Sequence, residues 1–259
     1  MRVDLVLGSW EMFAEGVWMT LQLTALALVF GFLIALPAAL SMHRRTREAP
    51  LWRGFVYVFR GTPLLVQTYL IYYGLAQFDW VRGGPWWLIL REAWWCALIA
   101  FSLNSAAYQA EILRGAFATV PRGEIEGGKA LGLSRRLVTL LVLLPSGFRR
   151  ALPQYGNEVV FMLHGSVVAS VITLQDILGA GRTLNARYYL AYEGLLTAAV
   201  LYMALTFLLV GAFRLLEGRF LRHLNVRRPE GHGGLSAAVS RPPLEEPEAD
   251  ASKVPLEAR

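Results

Sequence analysis

The length of its apolar runs constrains this chain more than any other feature. Five blocks, at about 16–40, 54–76, 94–113, 159–180 and 195–216, approach or exceed the length of a membrane-crossing helix, which needs roughly 20 apolar residues at about 1.5 Å each. The fourth is the weakest, because His164, Gln175 and Asp176 interrupt it. Composition points the same way. The chain is 55% hydrophobic and 17% charged, where a soluble domain averages about 45–50% and about 25%, and its mean hydropathy is +0.43. The sequence predicts an all-α, polytopic membrane protein with five transmembrane helices.

Residues 1–15 hold Arg2 against Asp4, Glu11 and Glu15, so they lack the basic start of a secretion signal, and the run that follows is longer than a signal core. Block 16–40 is therefore expected to be a true span behind a short external N-terminus. Lys and Arg gather after the odd-numbered blocks: Arg44, Arg45, Arg47 and Arg53; then Arg114 to Arg150; then Arg219 to Arg228. The charges of the other loops balance. Basic loops stay on the cytoplasmic side, which predicts N-out, C-in. Trp80, Trp86, Trp87, Trp94 and Trp95 bracket the second external loop as interfacial anchors. The net charge of +6 is then a topology signal and calls for no nucleic acid. The segment 229–259, rich in Pro, Gly, Ser and acid, is expected to be a disordered cytoplasmic tail.

The stretch "GEIEGGKALG" at 123–132 nearly spells a phosphate-binding loop, with Gly123, Gly128 and Lys129 at the right spacing. Ala130 replaces the Ser or Thr that would hold Mg²⁺, and "AFATVPR" before it offers no strand. The match is chance. What remains is an amphipathic stretch over 124–141, opened by Pro121 and closed by Pro145. Leu131, Leu133 and Leu137 form its apolar side, and Glu126, Lys129, Arg135 and Arg136 its polar side. Such a helix lies flat on a membrane surface or docks in a partner's groove. Four scattered histidines and the single Cys96 supply no catalytic set and no metal set, so the expectation is a chain that is not an enzyme.

Glu126-Gly127-Gly128, then Gly132, then Val142-Leu143-Leu144-Pro145 resemble the cytoplasmic loop of bacterial ABC-importer permeases. That loop reads E-A-A, three residues, G, nine residues, I-x-L-P. Gly127 and Gly128 depart from the two alanines, and Val142 from the isoleucine. "RGTPLLVQ" at 60–67, "LNSAAYQAEILRGA" at 103–116, "LPQYGNEVVFMLH" at 152–164 and "LNAR" at 184–187 resemble the polar amino acid permeases, nearest the histidine and arginine subgroup. The likeness covers about 18–226.

The resemblance implies a type I ABC-importer permease fold over 16–228, with a periplasmic N-terminus at 1–15 and a coupling loop at about 114–150. It implies a multi-pass protein of the bacterial inner membrane, paired with a second permease subunit, either a related chain or a second copy. Two ATP-binding subunits would bind ATP and Mg, with no cofactor in this chain, and a periplasmic amino-acid-binding protein would deliver a polar, basic cargo such as arginine, histidine, lysine or ornithine. Glu126, Gly127, Gly128, Lys129, Gly132 and Pro145 would form the coupling element. A permease for glutamine or another polar amino acid, or an ion-coupled secondary transporter, are the alternatives.

Ionisable and amide groups within spans are costly and mark pathways. Asn104, Tyr108 and Glu111 share a helical face by their spacing, and Asn157 and Glu158 are expected to begin the fourth span. A partly desolvated carboxylate suits an ammonium or guanidinium cargo; the same groups also serve as hydrogen-bonding glue between helices. Both readings stay open for each. His164 reads as a packed polar residue, and Arg60 with Gly61-Thr62-Pro63 as a bend.

Overall fold

A computed structural model describes residues 3–220 of the chain, and these fold entirely from helices. In chain order they are α1 (Val3–Gly8), α2 (Trp10–Arg44), α3 (Ala49–Gly61), α4 (Leu64–Tyr69), α5 (Asp79–Arg82), α6 (Trp87–Leu90), α7 (Ala93–Ala118), α8 (Arg122–Ala130), α9 (Arg135–Val138), α10 (Leu144–Gly165), α11 (Ile177–Tyr188) and α12 (Glu193–Phe220). Wider π turns continue α4 over Leu70–Gly74 and link α9 to α10 over Thr139–Leu143. The tail 229–259 lies outside the described residues.

Among the described residues, three helical stretches are long and apolar enough to cross a membrane: Trp10–Arg44, Arg135–Ile172 and Glu193–Phe220. α7 is not among them, and its place explains why. It packs along α2 and against α10 and α3, so its polar Asn104, Ser105 and Gln109 are buried among helices. A helix shielded by its neighbours need not be lipophilic. The face of α2 that meets it is built from small residues, with Ala27, Ala35, Ala38 and Ala39 all fully buried. Small side chains let two backbones approach, and contact along the pair stands in for hydrophobic drive.

Two expected blocks divide differently. Block 54–76 breaks where Thr62 and Pro63 adopt extended backbone, because Pro63 cannot donate and biases the residue before it out of the helix. Gln67 repairs the break, donating to the Phe59 carbonyl at 2.9 Å and the Thr62 carbonyl at 3.0 Å. These are among the carbonyls that the end of α3 leaves orphaned. Block 159–180 is misframed. The helix starts upstream at Leu144, runs through Pro153 and gives way to a tighter 3₁₀ turn over Ser166–Ile172. Thr173 then turns left-handed (φ 76°) and Asp176 caps α11, accepting from the Gly179 amide at 2.8 Å.

α11 and α12 form a tight hairpin. A Cβ on Gly181 would sit 2.5 Å from the Gly194 carbonyl oxygen, and one on Gly194 would sit 2.2 Å from that of Gly181. Only hydrogen fits at either position. The core of the described residues lies in three patches, the smallest joining Phe13 of α2 to Ala180 and Leu184 of α11. A second gathers Ala38, Met42, Ala110, Leu113 and Phe117 between α2 and α7. The third gathers Leu23, Ala97, Phe101, Met162 and Ile172, bringing in α10 and the turn after it.

Candidate functional site

The α7–α10 seam is a buried polar network. Ser105 donates to Glu158 Oε1 at 3.0 Å, and Gln109 Nε2 donates to Ser105 Oγ at 2.8 Å. Gln109 Nε2 also donates to the Leu28 carbonyl of α2 at 3.1 Å, and Tyr155 donates its hydroxyl to Gln109 Oε1 at 2.9 Å. Three helices thus meet at one amide. Burying such groups is tolerable only because each finds a partner. Glu158 itself is 5% exposed.

A cavity of about 500 Å³ opens beside this seam, lined by Asn104, Tyr108, Gln154, Asn157, Glu158 and Phe161 among others. Four of the five expected substrate residues therefore come together: Glu158, Asn157, Asn104 and Tyr108. Asn157 and Glu158 do not begin their helix as expected; they sit well inside α10, because that helix starts at Leu144. Asn104 spends both amide hydrogens on its neighbours, reaching the Phe59 carbonyl at 3.2 Å and Gln67 Oε1 at 3.1 Å. Only its oxygen remains for a ligand.

Glu111 lies elsewhere. It lines a second cavity of about 660 Å³ with Arg53, Arg60, Arg114 and Tyr108, and Arg114 holds it in a bidentate pair, with Nε at 2.8 Å from Oε2. The shared helical face is real, but one turn of α7 carries Glu111 past Tyr108 into the next compartment. Tyr108 is the wall between the two, and the Arg60 guanidinium stands 5.1 Å from its ring centroid, within cation–π range. His164 lines neither cavity and pairs with Thr206 at 3.0 Å.

The expected helix over 124–141 is two pieces. α8 ends where Gly132 takes φ 78°. The Gly132 amide bonds the Lys129 carbonyl at 2.9 Å and the Leu133 amide bonds the Gly128 carbonyl at 3.2 Å, the paired 5→2 and 6→1 bonds of a Schellman turn. Glu126, Gly127 and Lys129 are exposed on α8, while Gly128 is buried, with space for a methyl 3.4 Å from Val138 and Val142. Pro145 does not close the stretch; it occupies the first turn of α10, where a missing amide costs little. Glu124 reaches Arg150 at 3.5 Å, tying α8 to α10. Ser105, Gln109, Tyr155 and Gln67 escaped the sequence reading. Ser105 and Gln109 are spaced four apart beside Asn104 and Tyr108, a signal that was there to be used.

Beyond the apolar run of α2, Arg44 donates to Thr139 of the π turn. His43 stacks edge-on to Phe117.

The family model for binding-protein-dependent transport system inner membrane components matches residues 11–222. An octopine transport system permease protein, OccM, of Rhizobium radiobacter is 40% identical over 217 residues, covering 80% of this chain and 86% of that one. The histidine/lysine/arginine/ornithine transport system permease protein HisM of Escherichia coli K12 is 38% identical over 212 residues, covering 81% and 89%. Among solved structures, an amino acid ABC transporter crystallised with histidines superposes at TM-score 0.73 with 32% identity, covering 85% of this chain and all of that one (100%).

Proposed function

The chain belongs to the binding-protein-dependent transport system inner membrane components, and from that premise we propose that it is the pore-forming subunit of an ATP-driven importer of basic amino acids. It is a transport component rather than an enzyme. The observation that carries the choice of cargo is Glu158, a carboxylate almost removed from water at the wall of a 500 Å³ cavity. A charge in that position is best compensated by an ammonium or guanidinium. The names of the relatives, which include octopine and histidine/lysine/arginine/ornithine systems, support the same class.

In this reading five spans cross the bacterial inner membrane: α2, the broken α3–α4 pair, α7, α10 and α12, with the N-terminus outside. Two ATP-binding subunits, which hold ATP and Mg, a second permease subunit and a periplasmic binding protein complete the system. α8 docks on the ATPase through its exposed Glu126–Lys129 face. Displacing it moves α10 in turn, through the Glu124–Arg150 bridge and the packing of α8 on α9 and the Thr139–Leu143 turn. α10 also carries Glu158, so docking and cargo site share one rigid element, the usual means of turning domain closure into a switch of packing.

The test is uptake by proteoliposomes holding the permease, its ATPase and its binding protein. Labelled arginine should accumulate with ATP and be competed by lysine or histidine. Accumulation of glutamine with no competition by any cationic amino acid would replace the basic cargo with a neutral one.

A further inference from the structure

A cavity of about 510 Å³ opens between the end of α2, α8 and α9, and its polar lining is His43, Arg44, Lys129 and Arg135 with two threonines. A second cavity of about 420 Å³ adjoins it at Thr46 and adds Arg45 and Arg53. No carboxylate lines either one. Glu124, the acid of α8's first turn, is instead engaged with Arg150. So much uncompensated positive charge around a concavity calls for an anion.

Its place narrows the choice. His43 and Arg44 follow the apolar run of α2, which ends at Leu40, by one helical turn, so the cavity lies at the level where hydrocarbon gives way to headgroups. Leu137, Leu140 and Leu141, on the same 135–143 segment, are 43%, 58% and 61% exposed, an apolar fringe next to the charges. Phosphate beside acyl chain is the chemistry of a phospholipid, and basic pockets between helices at a membrane face take anionic headgroups.

We propose that this basic cavity binds the headgroup phosphate of an anionic glycerophospholipid, bridging α2 to the α8–α9 segment. The site lies outside the cargo cavity and shares no residue with it. It sets the lipid under the element that moves in transport, so the bilayer's charge would bias the position of α8.

The full chain in neutral detergent should be titrated with phosphatidylglycerol, phosphatidylcholine or inorganic phosphate and read by native mass spectrometry. Phosphatidylglycerol should be retained over phosphatidylcholine and resist millimolar phosphate. The double variant Lys129→Gln/Arg135→Gln, two exposed side chains, should lose roughly ten- to thirty-fold in affinity, at about 1 kcal/mol for each cation. Lys129→Arg/Arg135→Lys should keep the binding, which separates lost charge from lost fold. Arg219→Gln on α12 serves as the charge-matched control and should bind as the parent chain does. Equal retention of both lipids, an undiminished double variant, or displacement of the lipid by free phosphate would each overturn the proposal. Lys129 also lies on the proposed docking face of α8, so the double variant is purified with its ATPase subunit as well: loss of that subunit with the lipid retained would assign the cavity to a protein contact and overturn the lipid assignment.

Discussion

Ser105 of α7 donates its hydroxyl to Glu158 of α10 at 3.0 Å, so the one carboxylate lining the proposed cargo cavity is held in place by the neighbouring helix. Its second oxygen keeps its capacity for a ligand, and Gln109 fixes the Ser105 hydroxyl in turn at 2.8 Å. A site pre-ordered in this way does not spend binding energy on arranging itself.

Glu158→Gln tests the charge with little change of shape, because the amide oxygen can still accept from Ser105. Losing a charge-assisted hydrogen bond costs on the order of 1.5–3 kcal/mol, so arginine affinity should fall roughly ten- to hundred-fold. Calorimetry on the permease–ATPase complex without the delivery protein checks this. Unchanged arginine binding with a loosened fold would make Glu158 a purely structural group.

Gln67→Leu should weaken the fold without touching the cavity charge. It leaves one amide hydrogen of the buried Asn104 without its acceptor and takes a donor from the Phe59 and Thr62 carbonyls, of which Phe59 keeps Asn104 as a partner. Leaving a buried polar group unpaired costs about 1–3 kcal/mol. The expected outcome is a lower apparent Tm in detergent, with arginine affinity reduced much less than in Glu158→Gln.

Gly132→Trp should abolish uptake while the protein remains inserted and abundant in the membrane. No atom lies within 4 Å of a Cβ there, so the obstacle within the chain is the left-handed backbone, worth roughly 1–2 kcal/mol for an L-residue. Gly132→Asn, which tolerates that conformation, should keep most of the transport. Wild-type uptake by the Trp variant would remove the docking role from this turn.

Gly127→Ala and Gly128→Ala should stabilise α8 by up to about 1 kcal/mol each. The first methyl points into open space and the second lands in van der Waals contact with Val138 and Val142. Hydrogen exchange of the amides over 122–130 should slow in both variants. Faster exchange in Gly128→Ala would mean that the methyl pushes α8 off the π turn.

A reporter inserted at Gly84 should be active only outside the cytoplasm, and one fused after Phe220 only within it. The reverse pattern would invert the topology drawn from the Lys and Arg loops.

The apolar runs announced α2 and α12 directly, and Thr62-Pro63 announced the break after α3. α10 was harder to see. Arg149, Arg150 and Pro153 make its first half look unlike a span, while the apolar 166–172 looks like one and is a 3₁₀ turn. Composition cannot tell a charge at a helix's wet end from one within the bilayer. That Asn104, Tyr108, Asn157 and Glu158 would line one cavity was legible because acids and amides are rare in spans. Glu111 was assigned to the same place because helical spacing gives a face but not a depth along it. Gly132 carried its own stop signal, a glycine after a basic last turn, and the leucines on both sides hid it by continuing the periodicity.

At the crossing of α11 and α12, Gly181 and Gly194 each meet the other's main chain. The Gly194 amide is further committed to Asn185 Oδ1 at 2.7 Å. An obstacle made of side chain can be trimmed by a second mutation elsewhere, but one made of main chain has no such remedy. Neither position can be rescued by altering its neighbour, and altering both would double the clash. For as long as the hairpin keeps this crossing, the two codons are free to drift only among glycine's own synonyms.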